Sequence, residues 1–260
     1  MDKIKSFDQK ELVYKDEGQG IPIILLHGLN GNLAGFYNLA AALKTQYRVI
    51  TYDLRGHGKS SRPDVYHLSD HIGDLKAIMR HLGICTAHLV GHEMGGMVAR
   101  EFTEQYPSRV LSLTLISSKR KAVVHGFTQL MIEHQEEIQG FNRSEAILIL
   151  FPYIFKEQSR AMKWFQAQYL YHKATSEDNA TASRALYSIS NSQAEQPTTI
   201  HVPTLVIDGK YDPLISDDDI DNHFTRVQKE LFEYSGHAPH IEEPDHFLSF
   251  LTQFIDASHS

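Results

Sequence analysis

The sequence predicts an α/β fold: a mostly parallel sheet covered by helices and interrupted late in the chain by a helical cap. Three observations predict it. Strand-like and helix-like stretches alternate over almost all of the 260 residues. The strand signal stops at Lys119 and resumes only after Pro197. The residues with chemistry to offer stand just after the apolar runs, where open α/β sheets bind ligands.

Taken in order, Glu11 to Tyr14 reads as an early hairpin strand. Ile21 to Leu26 (IPIILL) and Tyr47 to Tyr52 (YRVITY) read as parallel strands buried on both faces, because their apolar runs are nearly continuous rather than alternating. Leu68, Ile72, Leu75, Ile78, Met79 and Leu82 follow the period of a helix with one face on the core, and Gly83 ends it. Ala87 to Val90 and Val110 to Ile116 are two further strands flanking a helix from Met94 to Tyr106, which Pro107 stops. Three or four helical segments rich in aromatics fill Lys119 to Pro197. Strands return at Pro203 to Ile207 and Lys229 to Tyr234, and the chain closes on an amphipathic helix, Asp245 to Ile255. The expected organisation is a core of residues 1–118 and 198–260 with a cap of residues 119–197 between its halves.

Composition narrows the function classes. With 42% hydrophobic residues the chain can bury a substantial core, which excludes disorder. A net charge of −7 with no basic stripe gives no electrostatic support for nucleic acid or an anionic membrane surface, so a small molecule is the expected partner. No apolar run approaches the ~20 residues of a membrane span, and the start, MDKIKSFDQK, has no apolar signal core; a soluble cytoplasmic protein is expected. Cys85, the single cysteine, is expected to be a small buried residue before a strand. Among sixteen histidines, His67 and His71 have the four-residue spacing of helical metal ligands but lack the intervening glutamate of zinc proteases. They are expected to face solvent at a helix start, and no metal site is expected.

The most informative stretch is His88-Leu-Val-Gly-His-Glu-Met-Gly-Gly-Met97. It has the G-x-Nuc-x-G frame of a nucleophile elbow, the tight strand-to-helix turn that lifts one side chain off the sheet in a strained backbone conformation. Gly91 and Gly95 let strand and helix pass beside that residue. The central residue is Glu93.

Other special residues follow the remaining strands: His27-Gly28-Leu29-Asn30, Asp53-Leu-Arg-Gly-His-Gly-Lys-Ser60, Gly209-Lys-Tyr-Asp-Pro213 and Gly236-His-Ala-Pro-His-Ile-Glu-Glu-Pro244. With the elbow, these motifs make the chain resemble the α/β-hydrolase superfamily over essentially its whole length, nearest in look to small carboxylesterases, C–C bond hydrolases and thioesterase-like enzymes. The resemblance implies an eight-stranded sheet and a reaction without cofactor. It also implies the order nucleophile, acid, histidine, which Glu93, Asp212 and His237 fit. His237 would act as general base and Asp212 would orient its ring. The amides of Leu29 and Met94 would form an oxyanion hole contributing about 3 kcal/mol per donor. His27, His57, His92 and His240 are read as loop packing, and Asp208, still in its strand, as the weaker acid candidate.

The departure is Glu93, since elbows of this group usually read G-H-S-M-G-G. Three roles fit a glutamate there. As a nucleophile it would parallel the aspartate of the related epoxide hydrolases and dehalogenases: attack on a saturated carbon gives an ester that water can cleave, whereas attack on an ester carbonyl gives a poor mixed anhydride. The loop His27-Gly-Leu-Asn is nevertheless esterase-like, and Met94 stands where many dehalogenases carry a halide-binding tryptophan. As a replacement for serine, Glu93 would leave an impaired ester or C–C hydrolase, its carboxylate pairing with His237 or filling the oxyanion hole. In a receptor or pseudoenzyme the pocket would outlive the reaction. A proton-passing role for Glu93 and His237 has no separate support. The expected function is a hydrolase acting on a small, largely apolar substrate. Tyr153, Trp164, Tyr169 and Tyr171 of the cap are the candidate substrate contacts.

Overall fold

A computed structural model describes residues 1–119, 122–141, 143–173, 175, 199–215 and 223–258. Eight strands among them form one sheet: β1 Asp2–Lys5, β2 Glu11–Glu17, β3 Pro22–Leu26, β4 Arg48–Tyr52, β5 Ala87–His92, β6 Val110–Ile116, β7 Thr204–Gly209 and β8 Val227–Phe232. Their spatial order is β1-β2-β4-β3-β5-β6-β7-β8. The pairs β1–β2 and β2–β4 are antiparallel and all others parallel.

Side-chain alternation along the strands divides the core into two layers. Ile24 and Leu26 of β3, with Leu89 of β5, face the layer that packs on α2 (Leu68–His81) and α3 (Met94–Gln105), through Leu75, Ile78, Val98 and Phe102. Ile23 and Leu25, with Val90, face the layer built on α1 (Tyr37–Leu43) and the C-terminal helix Pro244–Ala257, through Leu39, Leu43, Phe247, Leu251 and Ile255. Covering both faces explains why the central strands read as continuous apolar runs.

After β6 comes the helical insertion: α4 Ala122–Glu133, α5 Gln135–Ile138, α6 Arg143–Ile154 and α7 Gln158–Tyr171. It has its own apolar cluster, in which Leu130, Leu150, Phe151, Ile154 and Phe155 meet Leu214 and Ala238 of the core. The expected end of the cap at residue 197, and the aromatic Tyr187, lie outside the described residues.

Several expectations need correction. β1 and α1 were not anticipated: β1 reads Asp-Lys-Ile-Lys with Ile4 alone buried, too weak a pattern to register as a strand. β8 begins and ends two residues earlier than expected, because Phe232 closes the pairing opposite Gly209 and Tyr234 is exposed. Cys85 is exposed, since Ile84 takes the buried place at that turn. His71 is buried against the Tyr66 ring on the core side of α2, while His67 is exposed and donates its backbone N–H to Asp70 at 2.7 Å at the helix start. Among the described residues, no helix is long and apolar enough to cross a membrane, and no group of three histidine, cysteine or acidic side chains is arranged to hold a metal.

Candidate active site

Glu93 sits between β5 and α3 with φ 49° and ψ −114°, a left-handed conformation that a side chain rarely adopts. Its backbone is pinned on both sides. The N–H donates to Ile116 O at 2.9 Å, and the carbonyl accepts from Gly96 N at 3.0 Å, Met97 N at 3.2 Å and Ser118 Oγ at 2.6 Å. The glycine frame has a steric cause: a Cβ on Gly91 would lie 2.5 Å from the carbonyl carbon of Gly95, and one on Gly95 would run into the carbonyl oxygens of Leu26 and His27. Gly95→Ala is therefore expected to destabilise the fold by about 2 kcal/mol or more, or to prevent accumulation of folded protein. Urea unfolding would measure it, and a midpoint equal to that of the unmodified chain would contradict this account of the turn.

The carboxylate of Glu93 is buried, and its Oε2 accepts the Leu29 N–H at 2.9 Å. Burial pushes its pKa up, against the opposing pull of His237 and of the Leu29 amide. Met94, also buried, opens α3 immediately after it.

Asp212 and His237 meet although 25 residues apart: Nδ1 of His237 donates to Asp212 Oδ2 at 2.8 Å, and Asp212 Oδ1 accepts the Leu214 N–H at 2.9 Å. Burial disfavours the imidazolium, but Asp212, by charge and hydrogen bond, and then Glu93 and Glu242, outweigh it and push His237 up to about 9. A histidine raised in the folded state adds stability that is full below its ordinary value of 6.5 and is lost as the pH climbs through about 9. The stability gap between the unmodified chain and His237→Gln is therefore expected to narrow from pH 6.5 to 9. Thermal unfolding across that range checks it, and a gap that widens would contradict the assignment.

The other carboxylate near this strand end is engaged elsewhere, Asp208 Oδ2 lying 3.0 Å from Lys119 Nζ. His92 packs against His237 and His240 with ring centroids 5.1 and 4.8 Å apart, and its Nε2 donates to the His237 carbonyl oxygen at 2.9 Å. Its burial holds it neutral, down at about 3. His27 is fixed as one neutral tautomer: Nδ1 donates to Gly28 O at 2.8 Å and Nε2 accepts the Leu54 N–H at 3.0 Å. These rings pack loops together, as expected of them.

Of the four cap aromatics, the structure brings two to the core. Trp164 donates from Nε1 to Gly35 O at 2.8 Å, with its ring edge-on to His92 and His240. Tyr171 donates to Asp53 Oδ2 at 2.7 Å. Tyr153 and Tyr169 are not brought there: both are exposed, Tyr153 bonded to Glu137 and stacked on His134 at the outer side of the cap. A helix facing both ways cannot be oriented by composition alone, which is why four tyrosines and tryptophans looked equivalent.

Two site residues were missed. Glu242, buried, accepts four backbone N–H bonds, from Gly236 at 3.0 Å, Ala238 at 3.1 Å, Lys156 at 2.7 Å and Glu157 at 2.9 Å. Gln168, also buried, accepts the Asn32 N–H at 3.3 Å. Glu242 lies inside the last motif, five residues after His237; nothing in the sequence marks Gln168.

A mostly parallel eight-stranded sheet with a strained strand-to-helix elbow and a helical insertion after β6 is the α/β-hydrolase fold. The chain belongs to the α/β-hydrolase family, whose pattern it matches over residues 21–244. It is 30% identical over 269 residues to the AB hydrolase superfamily protein YisY of Bacillus subtilis, covering 98% of each chain. It is 29% identical over 222 residues to 3-oxoadipate enol-lactonase 1 of Acinetobacter baylyi, covering 83% of this chain and 81% of that one. The solved esterase EaEST of Exiguobacterium antarcticum superposes with a TM-score of 0.82 at 21% identity, covering 98% of both chains.

Proposed function

We propose that this chain hydrolyses small, largely apolar molecules through Glu93, Asp212 and His237, with Glu93 attacking a saturated carbon such as that of an epoxide or alkyl halide. The observation that carries the reading is the Glu93 Oε2 to Leu29 N–H bond of 2.9 Å. One carboxylate oxygen is anchored and the other is left to attack. In the second half of the reaction water adds to the carboxyl carbon of Glu93, and negative charge collects on the anchored oxygen. The Leu29 amide already faces it, and such a donor contributes about 3 kcal/mol.

Protons balance along this path. Glu93 displaces the leaving group and becomes an ester; an epoxide oxygen takes its proton from the His237 imidazolium. That transfer, or with a halide loss of the proton to solvent, leaves the ring neutral; loss of the Glu93 charge removes one of the groups that raise His237 and so favours this form, which accepts a proton from water. Hydroxide adds to the Glu93 ester, the alcohol leaves with that proton, and the carboxylic acid returns its own proton to His237. The apolar cluster joining the cap to Leu214 and Ala238, neighbours of Asp212 and His237, favours substrates with little charge.

A second reading is favoured by the lactonase relative and the esterase-like loop at His27: ester or lactone hydrolysis on a scaffold whose elbow carboxylate occupies an oxyanion donor. Intact-protein mass after rapid quenching with a panel of epoxides, alkyl halides and activated esters separates the two. The proposal expects a transient adduct from epoxides or halides in the unmodified chain and none in Glu93→Gln. Turnover of esters alone, or reversible binding without any adduct, would overturn it in favour of the second reading or of a receptor.

A further inference from the structure

We propose that α7 is a fixed strut of the active site rather than part of a moving lid, with Glu242 and Gln168 as the positioning residues at its two ends. The helix runs 14 residues, about 20 Å, and each end is tied to a different loop of the site.

At its N-terminal end the α6–α7 junction is stitched to the His237 loop. Glu242 receives the N–H groups of Lys156 and Glu157 on one carboxylate oxygen and those of Gly236 and Ala238 on the other. The His237 N–H donates to Ile154 O at 3.0 Å, and a Cβ on Gly236 would run into that same oxygen. Both main-chain neighbours of His237 are thereby held by the residue that also holds the helix start.

Toward its C-terminal end α7 is stitched to the loop that carries the Leu29 amide. Trp164 bonds Gly35 O, Gln168 Oε1 accepts the Asn32 N–H, and the Gln168 carbonyl oxygen accepts Asn32 Nδ2 at 3.2 Å. Gln168 lies in a cradle of glycines: a Cβ on Gly31 or on Gly35 would come within 3.2 Å of its Oε1. One turn further, Tyr171 bonds Asp53, whose other carboxylate oxygen accepts the Leu33 N–H at 2.8 Å. The two loops do not need to touch, because the helix sets the distance between the imidazole and the oxyanion donor. A lid would be expected to carry few such bonds on its moving element; these ties centre on the buried side chains of Glu242, Gln168 and Asp53, where breaking one strands a polar group.

Hydrogen-exchange mass spectrometry of the full chain tests this without any substrate, and so independently of the proposed carboxylate chemistry. Glu242→Gln is expected to speed exchange roughly tenfold in residues 27–36, none of which bonds to Glu242, as well as in residues 235–242. If Glu242→Gln does not fold, Gln168→Leu provides the reciprocal test, with faster exchange at residues 235–242. Faster exchange confined to the loop next to each substitution would overturn the strut. A kinetic arm rests on the proposed hydrolysis: each variant lowers kcat more than it changes KM, and the double variant is little worse than the worse single one, because either break frees both loops. Effects that multiply would mean two independent tethers and would also overturn it. Absence of turnover in the unmodified chain would count against the proposed function alone, leaving the exchange result to decide the strut.

Discussion

His237→Gln is expected to turn a catalyst into a stoichiometric trap. With an alkyl halide, whose leaving group needs no proton, His237 only prepares the later water, so the variant still forms the alkyl ester on Glu93 but releases it at least about 10³-fold more slowly, the scale of a lost general base. Glutamine keeps much of the shape of the ring and can still donate toward Asp212 Oδ2, the partner His237 holds at 2.8 Å, so the pocket is retained. An alkyl halide accepted by the unmodified chain should therefore add one equivalent of mass that persists for hours. Full turnover in the variant would remove His237 from the mechanism, and no adduct under conditions where the unmodified chain turns over would remove Glu93.

Glu93→Ser is expected to raise hydrolysis of short activated esters by at least about 100-fold. The elbow backbone, the Asp212–His237 pair and the Leu29 amide all stay in place. Removing the carboxylate frees the Leu29 N–H for a substrate oxygen, and a single oxyanion donor is worth about 10²–10³ in kcat. The serine gains a base already oriented by a carboxylate. Initial rates over a broad ester panel check this, with folding confirmed by thermal unfolding. A folded serine variant at the background rate would show that the scaffold lacks more than its nucleophile.

The parts of this molecule legible in the sequence are those whose physical cause is local. Strands buried on both faces announce themselves as apolar runs, and α2 by its helical period. The elbow shows because Gly91 and Gly95 are needed at that spacing whatever the chemistry between them. Asp212 and His237 could be nominated from motifs following strands, and the fold brings them within 2.8 Å. What the sequence conceals depends on distant partners. His71 is buried because the core side of α2 offers Tyr66, not because of its spacing from His67. Trp164 and Tyr171 are told apart from Tyr153 and Tyr169 only by bonds across more than a hundred residues, to Gly35 and Asp53. Gln168 is an ordinary helix residue until Gly31 and Gly35 are folded around it. The strain at Glu93, φ 49°, is implied by the elbow, but the anchoring of its carboxylate on Leu29 is not.

That anchored carboxylate is the centre of the account, and a single turnover in heavy-oxygen water tests it most directly. With enzyme in excess over an epoxide or alkyl halide, water attacks the Glu93 carboxyl carbon and the oxygen delivered to product comes from the protein. The account predicts unlabelled product in the first turnover and one oxygen-18 in the peptide that contains Glu93. Labelled product with an unlabelled Glu93 peptide would show that water attacks the substrate itself, and would contradict Glu93 as the nucleophile.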